Sequence, residues 1–404
     1  MERAELSRLL GGAAGGGAPS LRCLAEADAG KFTKALANAV AGSGDVFLGN
    51  PEWGKAERAQ VDAVLRTPRP ARPDGRGWLM IPTGGTSGSV RFARHDEATI
   101  AAAVGGFARH FGVGAVNAVG LLPLHHVSGL LAWLRCRLTR GNYVQADWRM
   151  LERGTLPVLP AAADGWFLSL VPTQLERLLR RPLAVEWLKQ FRAVLVGGAP
   201  AWPDLLDRAA TARLPLAPSY GMTETAAMVT ALRPEEFLAG ARSSGSALPH
   251  AAVKVNAEGA VSVTGESVFR GYYPEWREER TFETADAGWL DDGGRLTVTG
   301  RRDAVVITGG EKVQPAEVEA LLRDTGEFAE VVVLGVPDAE WGQLLVAAYP
   351  AAATPRLKKV ADAMARQLAP HKRPKFFVPL AVWPANAQGK INRAEVARLV
   401  GAAF

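Results

Sequence analysis

Cysteine is nearly absent: Cys23 and Cys136 are the only two in 404 residues. Two are too few for a disulfide framework or a cysteine-rich zinc site, and their scarcity fits a reducing compartment without redox chemistry. Long apolar runs are missing too, since no stretch approaches the ~20 residues that span a bilayer. The opening MERAELSRLL carries two glutamates and no secretory h-region, so the cytoplasm is the expected location. Neither sign of charge dominates: 47 Lys+Arg against 41 Asp+Glu leave +6, with an isoelectric point near 9.4. So thin an excess suits a small anionic substrate as well as nucleic acid. PHKRPK at Pro370 to Lys375 is the one dense basic cluster, and it lacks the aromatic interleaving of a nucleic-acid surface. No nucleic-acid partner is expected. There is no long repeat, and 48% hydrophobic with 22% charged residues excludes collagen, coiled coil and disorder.

The length predicts two or more domains with a substantial core. Short apolar runs ending in Gly or Pro recur through the first three-quarters, as GWLMIPTGG, AVGLLPL, GWFLSLVP and RAVLVGG. Stretches of helical period, such as Gln174 to Arg181, separate them, an alternation that predicts an α/β fold with buried parallel strands. Ligands are expected at the loops after those strands. After His250 the sequence AVKVNAEGAVSVTG alternates about a Glu-Gly turn and predicts an antiparallel hairpin in a β-rich subdomain. From Asp303 the strand VVITGG, the helix PAEVEALLRD, the strand VVVLGV and the amphipathic Leu357 to Leu368 predict a separate small α+β domain. The expected division is 1–302 and 303–404. Gly11 to Gly17 reads as a loop, because no strand precedes it.

The most informative segment runs Ile81-Pro-Thr-Gly-Gly-Thr-Ser-Gly-Ser-Val-Arg91, after an apolar strand. Such a loop turns backbone N–H groups and hydroxyls toward phosphate, and Arg91 adds a positive fork. It does not fit the Walker pattern; as a plain connection it would join a strand to a helix. Ser219-Tyr-Gly-Met-Thr-Glu-Thr225 brings a ring, a hydroxyl and a carboxylate within five positions. Tyr220 suits stacking on a purine, Thr223 a phosphate bond and Glu224 a Mg2+ ion. The bland readings are a half-buried core aromatic and a helix-start carboxylate. His125-His126, in PLHHVSG, lack a spaced third ligand, so no metal site is expected there. His95, His110, His250 and His371 carry no assignable role.

Further segments complete an ordered set: Thr284-Ala-Asp286, Gly300-Arg-Arg-Asp303, Thr308-Gly-Gly-Glu-Lys-Val-Gln-Pro-Ala-Glu-Val-Glu319 and Gly389-Lys390-Ile-Asn-Arg393. Together the six resemble the acyl-adenylate-forming superfamily of acyl-CoA ligases, adenylation domains and luciferases, over roughly Gly77 to Arg393. The resemblance implies a large adenylate-forming domain of stacked α/β subdomains with a β-rich subdomain, and a small mobile carboxy-terminal lid. It implies ATP, Mg2+ and CoA as reaction components. Thr83, Gly84, Gly85, Thr86, Ser87, Gly88 and Arg91 would bind the leaving phosphates. Gly197, Gly198 and Ala199 would wall the adenine pocket, and Tyr220 and Gly221 would hold the base. Glu224 matches the Mg2+ ligand and Thr223 the α-phosphate contact. Asp286 matches the ribose carboxylate, and Arg301 would assist at ribose or phosphate. Lys390 matches the lysine of the adenylation step, Asp303 the hinge, and Gly309 with Gly310 the pantetheine tunnel. His126 and Met222 would border the acyl pocket with Gly197.

These roles suit the chemistry: a carboxylate must be aligned with an anionic α-phosphorus while charge is neutralised. The resulting mixed anhydride then accepts a thiol directly, in keeping with the lack of a Gly-x-Ser-x-Gly elbow. The phosphate loop departs from the family in reading Ser89-Val90-Arg91 where Pro-Lys is usual, and Ala285 stands where Gly is common. The chain ahead of the loop is also short for the family. Its compact length, PTGGTSGSVRFA and PLHHVSG resemble the branch that activates 2-succinylbenzoate, an aromatic dicarboxylate of menaquinone and phylloquinone biosynthesis, above all its short cyanobacterial type. Arg135, Arg137 and Gln174 are candidates for holding the spare carboxylate, with solvated surface roles expected of the two arginines. The alternatives are another aryl- or acyl-CoA ligase, or an adenylation enzyme that loads a carrier protein. Many relatives form homodimers, and no interface is legible in the sequence.

Overall fold

The computed structural model describes residues 1–12, 22–67, 76–84, 90–160, 165–338, 340–385 and 391–402. Strands β1 (Arg22–Leu24), β2 (Val46–Leu48), β3 (Leu79–Gly84) and β4 (Val90–His95) form a first sheet in that order. The first three run parallel, and β4 returns antiparallel with Thr83 opposite Arg91 and Gly84 opposite Val90. The glycine- and hydroxyl-rich loop therefore joins two hydrogen-bonded strands, and the helix Glu97–Phe111 starts only after β4. That corrects the strand-to-helix reading of the connection.

The second sheet contains β5 (Asn117–Gly120), β6 (Tyr143–Gln145), β7 (Trp166–Leu170), β8 (Ala193–Val196), β9 (Leu216–Met222), β10 (Ala227–Ala231) and β11 (Ser246–Ala247). Their spatial order is β11-β10-β9-β8-β7-β5-β6, with β5 to β9 parallel. Its two faces bury different sets, as alternation along a strand requires. Leu168, Leu170, Val194 and Val196 pack with the helices Pro172–Leu179, Pro182–Leu188 and Pro203–Thr211. Phe167, Ala193 and Leu195 pack with Phe107, Phe111 and Cys136 of the helices Glu97–Phe111 and Val127–Leu138. Helical cover on both faces explains why these strands read as continuous apolar runs. Burial pushes the Cys136 thiol up to about 12, so it behaves as a small core residue.

The third sheet is an antiparallel meander of β12 (Ala251–Val255), β13 (Ala260–Gly265), β14 (Thr281–Leu290) and β15 (Leu296–Arg301). Its first hairpin pairs Ala251 with Gly265 and Val255 with Val261, as the alternation predicted. Beyond it lie the hairpin β16 (Val306–Thr308) and β17 (Glu311–Val313), then a sheet of β18 (Val332–Asp338), β19 (Gly342–Pro350) and β20 (Phe376–Leu380). The helices Pro315–Asp324 and Leu357–Gln367 contribute to one core there, and Arg393–Gly401 to another. A large α/β domain thus precedes a small α+β one.

Candidate active site

The site is assembled where three sheets meet: the β3–β4 hairpin, the end of β9, and the β14–β15 edge. From Ser219 to Met222 the chain is still strand; at Thr223–Thr225 it turns through one 3-10 turn. Thr225 Oγ1 donates to Ala227 O at 2.7 Å and lies 3.1 Å from Met222 N. Ala226 and Ala227 follow at φ 50° and 74°, left-handed conformations that cost an L residue about 1–2 kcal/mol each. Gly221 is obligatory here, because a Cβ would fall 2.0 Å from Ala227 O. The turn holds Glu224 buried.

Glu224 Oε1 accepts a hydrogen bond from Tyr272 Oη at 2.6 Å and a long one from Thr83 Oγ1 at 3.5 Å. Oε2 accepts none from the described residues. Tyr272 lies beneath Arg91, whose guanidinium carbon is 4.3 Å from the ring centroid. Burial, then the Glu224 charge, raises the Tyr272 pKa, so its hydroxyl remains a donor. Below the turn, His95 Nε2 donates to Thr223 O at 2.7 Å. Burial lowers the His95 pKa to about 4, which keeps the ring neutral.

At the other end, Tyr220 Oη donates to Asp286 Oδ2 at 2.7 Å. Asp286 pairs across β14–β15 with Arg301, whose Nη1 lies 3.9 Å from Oδ1. Arg301 also forks onto Asp303, with contacts of 2.7 and 2.5 Å. Tyr220, Asp286, Arg301 and Asp303 therefore form one chain of contacts. Gly197 lies against β9, where a Cβ would stand 2.9 Å from Ser219 Oγ; Gly198 is left-handed at φ 79°, and Ala199 is exposed.

Other expected residues stand apart from these contacts. His126 stands at the N-cap position of the helix Val127–Leu138, without a side-chain capping bond, beside His125, with ring centroids 4.5 Å apart. Burial alone holds His125 near a pKa of about 4. Gly309 and Gly310 form the β16–β17 turn at φ 57° and 84°; a Cβ on Gly309 would fall 2.9 Å from Trp341 Cε3, and one on Gly310 would meet open space. Gly84 ends β3, while Gly85, Thr86, Ser87, Gly88 and Lys390 lie outside the described residues. Arg135 corrects the expectation of a surface role: it is 4% exposed, its guanidinium 4.0 Å from the Phe107 centroid. Arg137 is at the surface and donates to Leu9 O. Gln174 is buried, and its Oε1 accepts from Val171 N.

Tyr272 and His95 are the two contacts that the sequence did not disclose as part of this site. Tyr272 stands 48 positions from Glu224, and nothing local in Phe-Arg-Gly-Tyr-Tyr marks it. Among the described residues no three His, Cys, Asp or Glu side chains gather as a metal cage. A Mg2+ ion, which keeps waters and phosphate oxygens in its shell, needs only one or two protein carboxylates. Glu224, whose Oε2 accepts no hydrogen bond from the described residues, fits that requirement.

The fold and this cleft with its two carboxylates agree with a family assignment: the chain belongs to the AMP-binding enzyme family, which matches residues 23–273. The family's C-terminal domain matches residues 317–390. The chain is 32% identical over 285 residues to 2-succinylbenzoate–CoA ligase of Oceanobacillus iheyensis, covering 67% of this chain and 59% of that protein. It is 30% identical over 368 residues to indoleacetate–CoA ligase of Aromatoleum aromaticum, covering 84% and 70%. The fold matches o-succinylbenzoate CoA synthetase from Bacillus subtilis in complex with its acyl-adenylate intermediate, with TM-score 0.76, 22% identity, and coverage of 98% of this chain and 91% of that one. ATP-bound MatB from Rhodopseudomonas palustris gives TM-score 0.76 at 23% identity, covering 100% and 93%. The chain thus spans 59% of the length of the first curated relatives it matches.

Proposed function

We propose that this chain is an AMP-forming acid–thiol ligase that activates 2-succinylbenzoate with ATP as an acyl-adenylate and transfers the acyl group to CoA. The observation that carries the reading is that one segment, Ser219–Thr225, anchors both carboxylates of the cleft. Tyr220 holds Asp286, and Glu224 is presented four residues later by Tyr272 and Thr83. That is the layout a nucleotide triphosphate needs, with a sugar-binding carboxylate at one end and a cation-binding carboxylate at the other. The names of the relatives support the acid. The long match to indoleacetate–CoA ligase favours a second reading, another aryl acid in the same chemistry.

In this reading the adenine lies between Tyr220 and the Gly197-Gly198-Ala199 wall, and Asp286 accepts hydrogen bonds from the ribose hydroxyls with Arg301 beside it. Thr223 bonds the α-phosphate. The Thr83 to Arg91 loop holds the leaving phosphates, and Arg91, planar and always charged, neutralises them. Glu224 would hold Mg2+, which supplies further charge neutralisation at the phosphates. Lys390 stabilises the charge that develops as the acid's carboxylate attacks the α-phosphorus and the bond to pyrophosphate breaks. The thiol then attacks the carbonyl carbon of the mixed anhydride, and AMP leaves. Residues 303–404 turn about Asp303 between the steps, withdrawing Lys390 and bringing Gly309 and Gly310 to the pantetheine path. His126 and Met222 border the acyl group and exclude water. The reaction belongs in the cytoplasm, with no nucleic acid involved.

The test is thioester formation and AMP release by the purified chain with ATP, Mg2+ and CoA, comparing 2-succinylbenzoate, indoleacetate, benzoate and a medium-chain fatty acid. Selective turnover of 2-succinylbenzoate is expected. Turnover of another acid alone keeps the reaction and replaces the substrate, and no pyrophosphate exchange with any acid overturns the reaction. Lys390→Ala is expected to lose adenylate formation while still making thioester from supplied acyl-adenylate.

A further inference from the structure

Tyr272 is held from several sides before it touches the site. Phe269 N donates to Glu224 O, Arg270 N to Arg94 O, Arg94 N to Gly271 O, and Tyr273 N to Phe92 O, all at 2.8 to 2.9 Å. The segment 269–273 is thereby laced to β4 on one side and to the Glu224 turn on the other. Arg270 is fixed further by its buried pair with Asp96 at 2.9 Å. The Tyr272 ring packs edge-on against Phe269, with centroids 4.8 Å apart. A hydroxyl mounted on so constrained a backbone directs its bond with little entropy left to lose.

We infer that Tyr272 is a positioning residue that couples cation binding to phosphate binding. Its hydroxyl occupies Glu224 Oε1 at 2.6 Å, which leaves Oε2, without a hydrogen bond from the described residues, to take the cation. The face of the same ring carries the Arg91 guanidinium at 4.3 Å, which restrains the arginine over the hairpin that leads to the phosphate loop. One side chain thus sets the carboxylate that takes the metal and the arginine that takes the phosphates. The two functions sit on different atoms of Tyr272, so they separate by substitution. This inference rests on the ATP-binding reading above.

The experiment is calorimetric titration of ATP into the wild type, Tyr272→Phe, Tyr272→Leu, Glu224→Gln and Glu224→Gln/Tyr272→Phe, each with and without Mg2+, with melting curves as the check on folding. Phe keeps the ring under Arg91 and loses only the hydrogen bond. Tyr272→Phe is expected to weaken ATP binding about tenfold with Mg2+, the scale of one charge-assisted hydrogen bond, and to leave binding without Mg2+ unchanged. Tyr272→Leu is expected to weaken both. In the Glu224→Gln background, Phe should add no further loss. Wild-type Mg2+ dependence in a folded Tyr272→Phe variant, or full additivity with Glu224→Gln, would overturn the coupling while leaving the ligase reading intact. Failure of the wild type to bind ATP at all would overturn both.

Discussion

Two Arg–Asp pairs flank the cleft, alike in chemistry and opposite in setting. Asp96 and Arg270 meet at 2.9 Å with side chains 1% and 5% exposed, whereas Arg301 and Asp303 meet at 2.5 Å with 42% of each exposed. Asp96 also accepts from Ala98 N and Thr99 N and so caps the helix Glu97–Phe111. Its charge is satisfied from every side, and no partner could leave without stranding an ion in the interior. Arg301 divides itself between Asp303 and Asp286 in a wet setting where exchange is inexpensive. The buried pair is built to fix the backbone under Tyr272 and Thr223. The exposed one is placed to exchange partners, since Arg301 already lies 3.9 Å from Asp286.

The comparison breaks most visibly by removing one buried partner. Arg270→Met leaves Asp96 uncompensated and is expected to cost about 3–5 kcal/mol of stability, measured by denaturant unfolding. Arg270→Met/Asp96→Ser, which keeps a capping side chain, should recover much of that loss. Burial raises the Asp96 pKa, but the Arg270 bond and charge outweigh it and leave the pKa lowered. The contribution of this pair is therefore present above the unfolded carboxylate value and disappears only in stronger acid.

The neutral ring of His95 tests the same buried region by pH. Its folded pKa of about 4 lies below the unfolded 6.5, so below pH 6.5 the unfolded chain binds the proton that the folded chain refuses. Stability from His95 is full above pH 6.5 and falls progressively toward pH 4, by about 3 kcal/mol across the interval. Unfolding at pH 7.5, 5.5 and 4.5 checks this. His95→Gln, which keeps a donor for Thr223 O, should flatten the decline; an unchanged slope would refute the assignment.

On the exposed side the effect moves from stability to ligand binding. Asp286→Asn should bind ATP about ten- to a hundredfold more weakly, the scale of one charge-assisted hydrogen bond, with a melting temperature near that of the wild type. Calorimetry and a melting curve on the same sample separate the two.

Part of this cleft was legible in the chain where its residues are close in sequence, while Asp286, 66 positions from Tyr220, entered only through the resemblance of the ordered motifs. Tyr220 and Glu224 share one strand and turn, and Asp286 precedes a hairpin return to Arg301. The β12–β13 hairpin was legible for the same reason, since alternation and a Glu-Gly turn are local signals. What escaped depends on distance. Whether Val90–His95 begins a helix or pairs back on β3 is decided by tertiary hydrogen bonds, and its apolar residues fit either reading. Arg135 looked like surface from its charge, but it is buried with its guanidinium over Phe107 of the neighbouring helix Glu97–Phe111. His95 and Tyr272 carry no local pattern, and only the packing of 269–273 between β4 and the Glu224 turn brings them to the site.

The finest distinction between the pairs lies in salt. Asp303→Asn removes an exposed partner and should change stability by about 0–1 kcal/mol, because water replaces the lost bond. Arg301, released from Asp303 and already 3.9 Å from Asp286, should then close on Asp286 and compete modestly with the ribose hydroxyls. The expected result is slightly weaker ATP binding at low ionic strength that fades toward wild type near 1 M salt, where the screening length drops to about 3 Å. The Arg270→Met loss should persist through the same salt series, since buried charges are screened far less. If the Asp303→Asn effect persisted undiminished in salt, Arg301 and Asp303 would be a fixed structural pair like Asp96 and Arg270, and the exchange of Arg301 between Asp303 and Asp286 would be refuted.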